Sequence, residues 1–540
     1  MLRYIEGENR DQLNMMPMSL DQMISEDNPV RVIDALVESL DLEVLEFKHA
    51  IPLKIGRKPY DPKHLLKLYI YGYFNGIRSS RKLEKECKRN IEVMWLLDRL
   101  VPDDKTISDF RKDNKKPVIK VFKQFSRLCD ELGLYGKEII AVDGSKFRAN
   151  NSRKKSYTKN KVKKMLEYYE QTAKKYIELL EENDKKEEND ELGKYTKEEV
   201  KSKLKAAKER IEELTEMAKE IEENGTISIT DPDAKHMSAN NNGTDVAHNV
   251  QIAVDNKNHL VVAVDVVSTP ADQNQLHNMA SKAVEELGLK KDKNIELEKN
   301  TKEKNIEEKK TEEENIITVL ADKGYYCGEE LEKCKKDHIN TIVPKQKGSS
   351  KNGNEEYIKD NFIYNGEDDT YTCPDGIILK NVSNPESKSQ IYKNTEACKK
   401  CKNKDKCTMA KNGRIIKRSP YQEIYDEVDK RTLENQELYK QRQMIVEHPF
   451  GTVKRTLGFS YFLTRGNENV KAESYMHFFT YNLIRVINII GIKELIKILR
   501  DKKRLLFVIF CRYASFGIIC IQNFKLFLKE TGKADCFYAV

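Results

Sequence analysis

The sequence predicts an α/β chain with an all-helical front end and inserted modules, and three observations carry that expectation. Short apolar runs at 139–142 and 316–320 each end next to an aspartate with a glycine within two residues, as buried strands do at their ends. Between them, VAHNVQIAVDNKNHLVVAVDV holds two β-rich runs around Asp255-Asn256-Lys257-Asn258, the pattern of a hairpin turn. Ahead of them, short amphipathic segments are punctuated by capping residues.

The front end, residues 1–135, reads as helices in series. Asp41 to Ile51 carries apolar residues at helical spacing. Asp61 is a good N-cap, and Pro62 sits at the first helical position, where its missing N–H costs nothing. Leu65, Leu66, Leu68, Tyr69, Tyr71, Tyr73 and Phe74 then make a well-buried helix that Gly76 stops. Ser79-Ser80 caps RKLEKECKRN, Ile91 to Leu100 forms a third helix with the lone Trp95, and Asp103 to Thr106 restarts the chain into ISDFRKDN. Short helices with basic outer faces suit a helix-turn-helix-like DNA-binding bundle, as well as any small helical domain.

The remaining pieces follow in order. Residues 136–500 form one layered α/β domain once its insertions are removed. At 153–223, Lys and Glu surround sparse apolar residues, so two long amphipathic helices joined near Asn183–Tyr195 make an antiparallel hairpin with a solvated face. Ala271 to Leu287 is a helix closed by Gly288. Residues 289–315 are nearly all Lys, Glu and Asn and read as a solvated loop. Helix GEELEKCKKD and the strand Asn340–Pro344 follow the second aspartate. Residues 347–415 are polar, with Gly and Asn turns and little core of their own. The apolar tail, 501–540, includes Leu505–Leu528, but Arg512, Asn523 and Lys525 make a buried element a better reading than a membrane span.

Composition sets the limits. In 540 residues, 96 basic side chains outnumber 88 acidic ones, for a net charge of +8, which permits a nucleic-acid partner without demanding one. Only 24 Gly and 14 Pro occur, and apolar clusters recur throughout, which excludes collagen-like, mucin-like and wholly disordered chains. The N-terminus shows no apolar signal segment, so the 11 cysteines are expected to be cytoplasmic thiols or metal ligands.

Three carboxylates and four thiols carry candidate chemistry. Asp143 and Asp322 each end a buried apolar run; two such groups converging on one spot repel unless a hard cation, Mg²⁺ or Mn²⁺, lies between them. Asp-Gly at a strand end is also an ordinary turn. Glu447 and Lys454 are two helical turns apart, although Pro449 would kink a helix there. Cys398 and Cys401 have the C-x₂-C spacing of a tetrahedral Zn²⁺ site, which Cys373 and Cys407 complete. His236, His248 and His448 read as packing or hydrogen-bonding residues.

In order, AVDGSKFRAN, TDPDAKHM ahead of VQIAVDNKNHLVVAVDV, VLADKGYY and VEHPFGTVKR resemble the insertion-sequence transposases with an RNase H-like DDE catalytic domain. The resemblance spans roughly residues 20–490 outside the charged insertions. It implies an RNase H-like mixed sheet with flanking helices, into which the cysteine spacing places a zinc-ribbon-like insertion at 347–415. It implies that Asp143, Asp322 and Glu447 are the acidic triad, holding two Mg²⁺ ions for strand cleavage and strand transfer. It matches Tyr439, Arg442 and Lys454 to the Tyr-Arg-Glu-Lys signature, with the Arg-to-Glu spacing one residue longer than usual. Arg442 and Lys454, with Lys146 and Arg148 just beyond Asp143, would then hold DNA phosphates. The partners implied are double-stranded DNA, both terminal inverted repeats and target, and a second copy of the chain in a homodimer or larger synaptic complex. A DNA-binding derivative without activity, or a nuclease that cuts without joining, would keep the same motifs.

Overall fold

A computed structural model describes residues 18–52, 58–152, 155–186, 191–192, 195–238, 243–289, 317–346, 355–384 and 389–502. Apart from their first positions, the loop expected at 289–315 and the tail expected at 501–540 lie outside these residues. The chain divides into two compact units. The first runs to Phe125 and takes in Thr452–Phe459 and the chain from Tyr475; the second comprises Ser126–Gly451 and Ser460–Ser474.

The first unit is helical: α1 (Val30–Glu38), α2 (Pro62–Phe74), α3 (Ser80–Arg89), α4 (Ile91–Leu96), α5 (Asp104–Asp113) and the start of α6 (Lys115–Glu131). Asp61 caps α2 by accepting from Lys63 N at 2.8 Å, and Leu66 and Leu68 of that helix are fully buried. Tyr69 stacks on Phe110 at 5.6 Å and donates its hydroxyl to the Ile107 carbonyl. The returning segment seats Phe459 against Tyr73 and His477.

Two expectations are corrected here. Residues 41–51 form turns, not a helix: Glu46 and His49 adopt φ of 63° and 66°, which a right-handed helix forbids. Leu42, Leu45 and Phe47 are nonetheless buried, which explains the helical-looking spacing, and the actual helix of this region is α1. The helix expected to reach Leu100 ends at Leu96, because Asp98 and Arg99 turn into the left-handed region.

The second unit is built on a mixed sheet. Its strands are β1 (Ile139–Arg148), β6 (Lys235–Ser238), β7 (Thr244–Asp255), β8 (Val261–Val267), β9 (Ile317–Ala321) and β10 (Ile339–Ile342). Between β1 and β6 lie β2 (Ser156–Thr158), β3 (Glu191–Leu192), β4 (Tyr195–Thr196) and β5 (Thr226–Ser228). The sheet order is β10-β9-β1-β7, with both β6 and β8 paired to β7. The β1–β9 and β9–β10 pairs are parallel; β1–β7, β7–β8 and β6–β7 are antiparallel. Helix α9 (Leu276–Glu286) packs across β8, β1 and β7, and α10 (Gly328–Lys336) packs on β10 and α9.

The expected hairpin is present as α7 (Lys159–Lys186) and α8 (Lys197–Asn224), closed at its base by β2 on β5. Tyr157, Val162, Leu214 and Ile221 form its own small core. The cysteine-bearing insertion is a five-stranded antiparallel sheet, β11 (Ile363–Asn365), β12 (Thr370–Thr372), β13 (Ile378–Asn381), β14 (Gln390–Lys393) and β15 (Ile415–Arg418), with α11 (Thr395–Lys400) and α12 (Lys404–Cys407). Contrary to the sequence reading, it has a core: Phe362, Tyr371, Leu379, Tyr392 and Ile416 are buried together. Its apolar residues are too widely spaced in the sequence to look like one. Helices α13 (Gln422–Glu434) and α14 (Gln436–Gly451) follow, α14 packing on β1, β7 and β9. Pro449 lies inside α14, and the next residues, Thr452–Thr456, are π-helical, with Leu457 N bonding to the Thr452 carbonyl. Helix α15 (Asn467–Ile490) follows. Among the described residues, no helix is long and apolar enough to cross a membrane.

Candidate active site

The site grows from the register of β1 and β9. Ile140, Ala141 and Val142 are fully buried, and the parallel pairing with β9 ends at Val142 opposite Ala321. The next residue on each strand is a carboxylate, Asp143 on β1 and Asp322 after β9, so adjacent parallel strands deliver both to one end of the sheet. The expectation that β1 stops at Asp143-Gly144 is corrected: pairing with β7 continues to Arg148 opposite Ala247. Only the β9 side opens, which frees the Asp143–Asp322 end without breaking the strand.

Both aspartates are locally anchored. Asp143 Oδ1 accepts from Gly144 N at 2.9 Å, and Asp322 Oδ1 accepts from Lys323 N at 2.6 Å to cap the 3₁₀ turn Lys323–Tyr325. Helix α14 supplies Arg442, whose Nη1 lies 3.5 Å from Asp143 Oδ2. Arg442 is 13% exposed and Asp143 26%, so this pair is partly shielded from water. The guanidinium also lies over the Tyr439 ring at 5.9 Å. Burial pushes the Asp143 carboxyl up to about 6; Arg442 and the Gly144 amide oppose this, and Asp272 and Asp322 add to it. Burial likewise raises the Tyr439 hydroxyl, with Arg442 opposing.

Asp272 is the residue that sequence reading missed. It follows β8, and its Oδ1 accepts from Asn249 Nδ2 and Gln251 Nε2, both at 2.8 Å. Asn249 and Gln251 are fully buried on β7, and Gln251 Oε1 in turn accepts from the Tyr325 hydroxyl. The available signal was these two amides at i and i+2 among the apolar residues of a buried strand. Buried amides on one face need a partner, and that partner had to come from elsewhere in the chain.

Glu447 is exposed on α14, and its Oε1 accepts from Gln443 Nε2 at 2.7 Å. Lys454 lies on the π-helical turn, which belongs to the first unit. Lys146 sits opposite Asn249 on β1, and Arg148 pairs with Asp245 at 3.5 Å while remaining 60% exposed. Among the described residues, no group of three or more His, Cys, Asp or Glu side chains is placed to hold a metal ion. Asp143 and Asp322 are oxygen donors, which suit a hard cation in kind. His236 bonds to Ser156, His248 to Asp231 at 3.0 Å within the core, and His448 lies against His259.

The four cysteines gather in the insertion. Cys373, Cys398, Cys401 and Cys407 line one cavity of about 20 Å³ with Asp375 and Arg414. Cys373 Sγ accepts from Ile377 N at 3.3 Å after a turn through Gly376, whose φ is 78°. Burial pushes the Cys407 thiol up to about 11.

Comparison with curated proteins and with solved structures gives no match. Two family profiles do match: one described as a transposase domain (DUF772) over residues 18–113, the other as a transposase DDE domain over residues 372–487. The first covers α1 to α5, and the second runs from the cysteine-bearing sheet through α14 into α15, so it includes Arg442 and Glu447 but neither Asp143 nor Asp322. A transposase-domain match at its front and a transposase DDE-domain match towards its end support an insertion-sequence DDE transposase family for this chain.

Proposed function

We propose that this transposase binds the terminal inverted repeats of its element through the helical unit, and cleaves and joins DNA strands at the Asp143–Asp322 end of the sheet. The observation that carries the reading is the register: two carboxylates one residue past the last paired positions of adjacent parallel strands. The strand order supports an RNase H-like catalytic fold, with a central β1 flanked by an antiparallel β7–β8 meander and by parallel β9 and β10. Asp143, Asp322 and Glu447 would hold the divalent cations, which when bound polarise the scissile phosphate and lower the pKa of the attacking hydroxyl.

The chain's own residues do the rest. Arg442 balances the Asp143 charge and stands where a phosphate near the cut would enter. Its Nη1, ion-paired to Asp143 Oδ2 at 3.5 Å, makes no hydrogen bond, so a phosphate oxygen reaching it would supply one. Tyr439 supports the guanidinium from the same helix. Lys146, Arg148 and Lys454 are proposed to contact the DNA backbone, where a cation positions without reading sequence. A synaptic homodimer follows from the need to hold two ends at once.

The reading is tested with a plasmid carrying the gene between its own flanks, incubated with purified protein and Mg²⁺ or Mn²⁺. Cuts at the flanks together with joined products are expected. Cuts without joining would make the protein a nuclease, and binding without cuts would make it a DNA-binding derivative.

The four cysteines are proposed to hold one structural Zn²⁺. Their shared cavity has room for about one water-sized sphere, and thiolates would replace the protonated sulfurs once a cation arrives. The purified chain is expected to carry one zinc per molecule by elemental analysis, and Cys398→Ser to lose it while lowering the thermal midpoint. A zinc-free wild-type chain with an equally stable insertion sinks this assignment.

A further inference from the structure

We propose that the open face of the cysteine-bearing sheet binds the phosphate backbone of duplex DNA through Lys380, Lys393 and Lys417. This rests on the reading of the chain as a transposase and adds a contact surface to it. Charge points to this module. Residues 390–418 hold 10 basic side chains against 2 acidic ones, Glu396 and Asp405. That surplus of 8 equals the net charge of all 540 residues, so the rest of the chain balances. Helices α7 and α8 are also densely charged, yet carry 15 basic and 15 acidic residues.

Pairing sorts the side chains of the sheet. Tyr371, Leu379, Tyr392 and Ile416 turn to one face, where Cys373, Cys398 and Cys407 pack against their core. The residues between them face the other way. There Lys380 of β13 stands directly opposite Lys393 of β14, and Lys417 of β15 lies one step along, opposite Ile391. All three lysines are exposed, and among the described residues none of them is held in an ion pair. Each strand places two residues on this face, and none of the ten is Asp or Glu. The turn carboxylate Asp369 is drawn to the core side, where it accepts from the Tyr364 and Tyr392 hydroxyls and the Asn381 amide.

An ordinary role accounts for only part of this. A lysine on an edge strand keeps it from pairing with another chain. That covers Lys417 on β15, but Lys380 and Lys393 lie on interior strands. Like charges directly opposite each other across a strand pair cost stability, and an anion lying over both removes that cost. A protein partner is the poorer occupant, because lysine is depleted at the centres of protein interfaces. A row of phosphates supplies the missing charge, and lysines held on a sheet contact it without reading sequence. Lys399, Lys400 and Lys402, around α11, are the contrast, since Glu396 and Asp405 lie close to them in the chain.

The test is binding of the full-length chain to two fluorescent duplexes, one from the gene's own flank and one of scrambled sequence, over a range of salt concentrations. Lys380→Gln, Lys393→Gln and Lys417→Gln are combined in one variant, and the three corresponding Arg substitutions in another. The Gln variant is expected to make the slope of log affinity against log salt shallower by about 3 on both duplexes, with its melting temperature unchanged or higher. The Arg variant is expected to keep the wild-type slope. If the triple Gln variant melts early, Lys393→Gln alone takes its place, with an expected change in slope of about 1. An unchanged slope, where wild type binds both duplexes, overturns the proposal and leaves the transposase reading standing. So does a slope that falls only when Lys399, Lys400 and Lys402 become Gln, or one that falls equally with Arg. Altered sedimentation with unchanged DNA binding would make the face a protein interface and overturn the proposal as well. If wild type binds neither duplex, the transposase reading falls and this proposal falls with it.

Discussion

Asp322→Asn is expected to reduce metal-dependent strand cleavage by at least about a thousandfold, roughly 4 kcal/mol of transition-state stabilisation. Binding of the element ends should be unchanged. The substitution is nearly isosteric, and the Asn oxygen can still accept from Lys323 N, so the 3₁₀ turn that Asp322 caps survives. What is lost is one negative charge beside Asp143 at the open end of β1 and β9. Cleavage falls because the remaining carboxylates hold a divalent cation more weakly. Stability does not fall, because removing one of two adjacent like charges relieves repulsion. The measurement is gel-resolved cleavage of flanking DNA together with a mobility-shift titration on the same fragment. Wild-type cleavage by the variant would remove Asp322 from the site. Parallel loss of binding and cleavage would show instead that the substitution acts on the fold.

The divergence between what the sequence revealed and what it hid has a physical basis. Asp143 and Asp322 were legible because a buried parallel strand is a continuous apolar run, and its first polar residue stands out. The hairpin of α7 and α8 was legible because a long helix repeats its pattern over many turns. Asp272 was not, since it sits in the loop STPADQNQL, where an acidic residue is unremarkable. Its surroundings come from Asn249 and Gln251, which are brought to it only by the path of the loop after β8. Arg442 was matched by motif alone; that its guanidinium meets Asp143 depends on how α14 lies on the sheet. The turns at 41–51 show the converse error. Leu42, Leu45 and Phe47 are spaced as on a helix because all three are buried, yet two left-handed residues set the path. In the cysteine-bearing sheet, one or two aromatic or aliphatic residues per short strand form a core that no single segment announces.

The metal-free chain carrying Asp143→Asn is expected to be more stable than wild type at pH 8, with the advantage vanishing below about pH 4. Burial raises the Asp143 carboxyl to about 6 in the folded chain, against an ordinary value of 3.8. Between those values the folded state holds a proton that the unfolded state has released, so stability falls as pH rises through that window. The favourable contribution is complete below 3.8 and gone above about 6, where the native site carries a poorly solvated charge. A shift of this size corresponds to about 3 kcal/mol at most. That value already includes the attraction of Arg442, 3.5 Å away, and solvent screening of the partly exposed carboxylate reduces the observed gain to about 1–2 kcal/mol. Melting curves with a chelator at pH 4 and pH 8 measure it. If the variant is instead less stable at pH 8, attraction to Arg442 outweighs burial, and the aspartate is held by its ion pair. The expected outcome carries a functional consequence: a charge that costs stability alone is one that a divalent cation can relieve. Affinity of the metal-free wild-type chain for a divalent cation should therefore weaken as pH falls below about 6, because a protonated Asp143 must release its proton before the cation can bind.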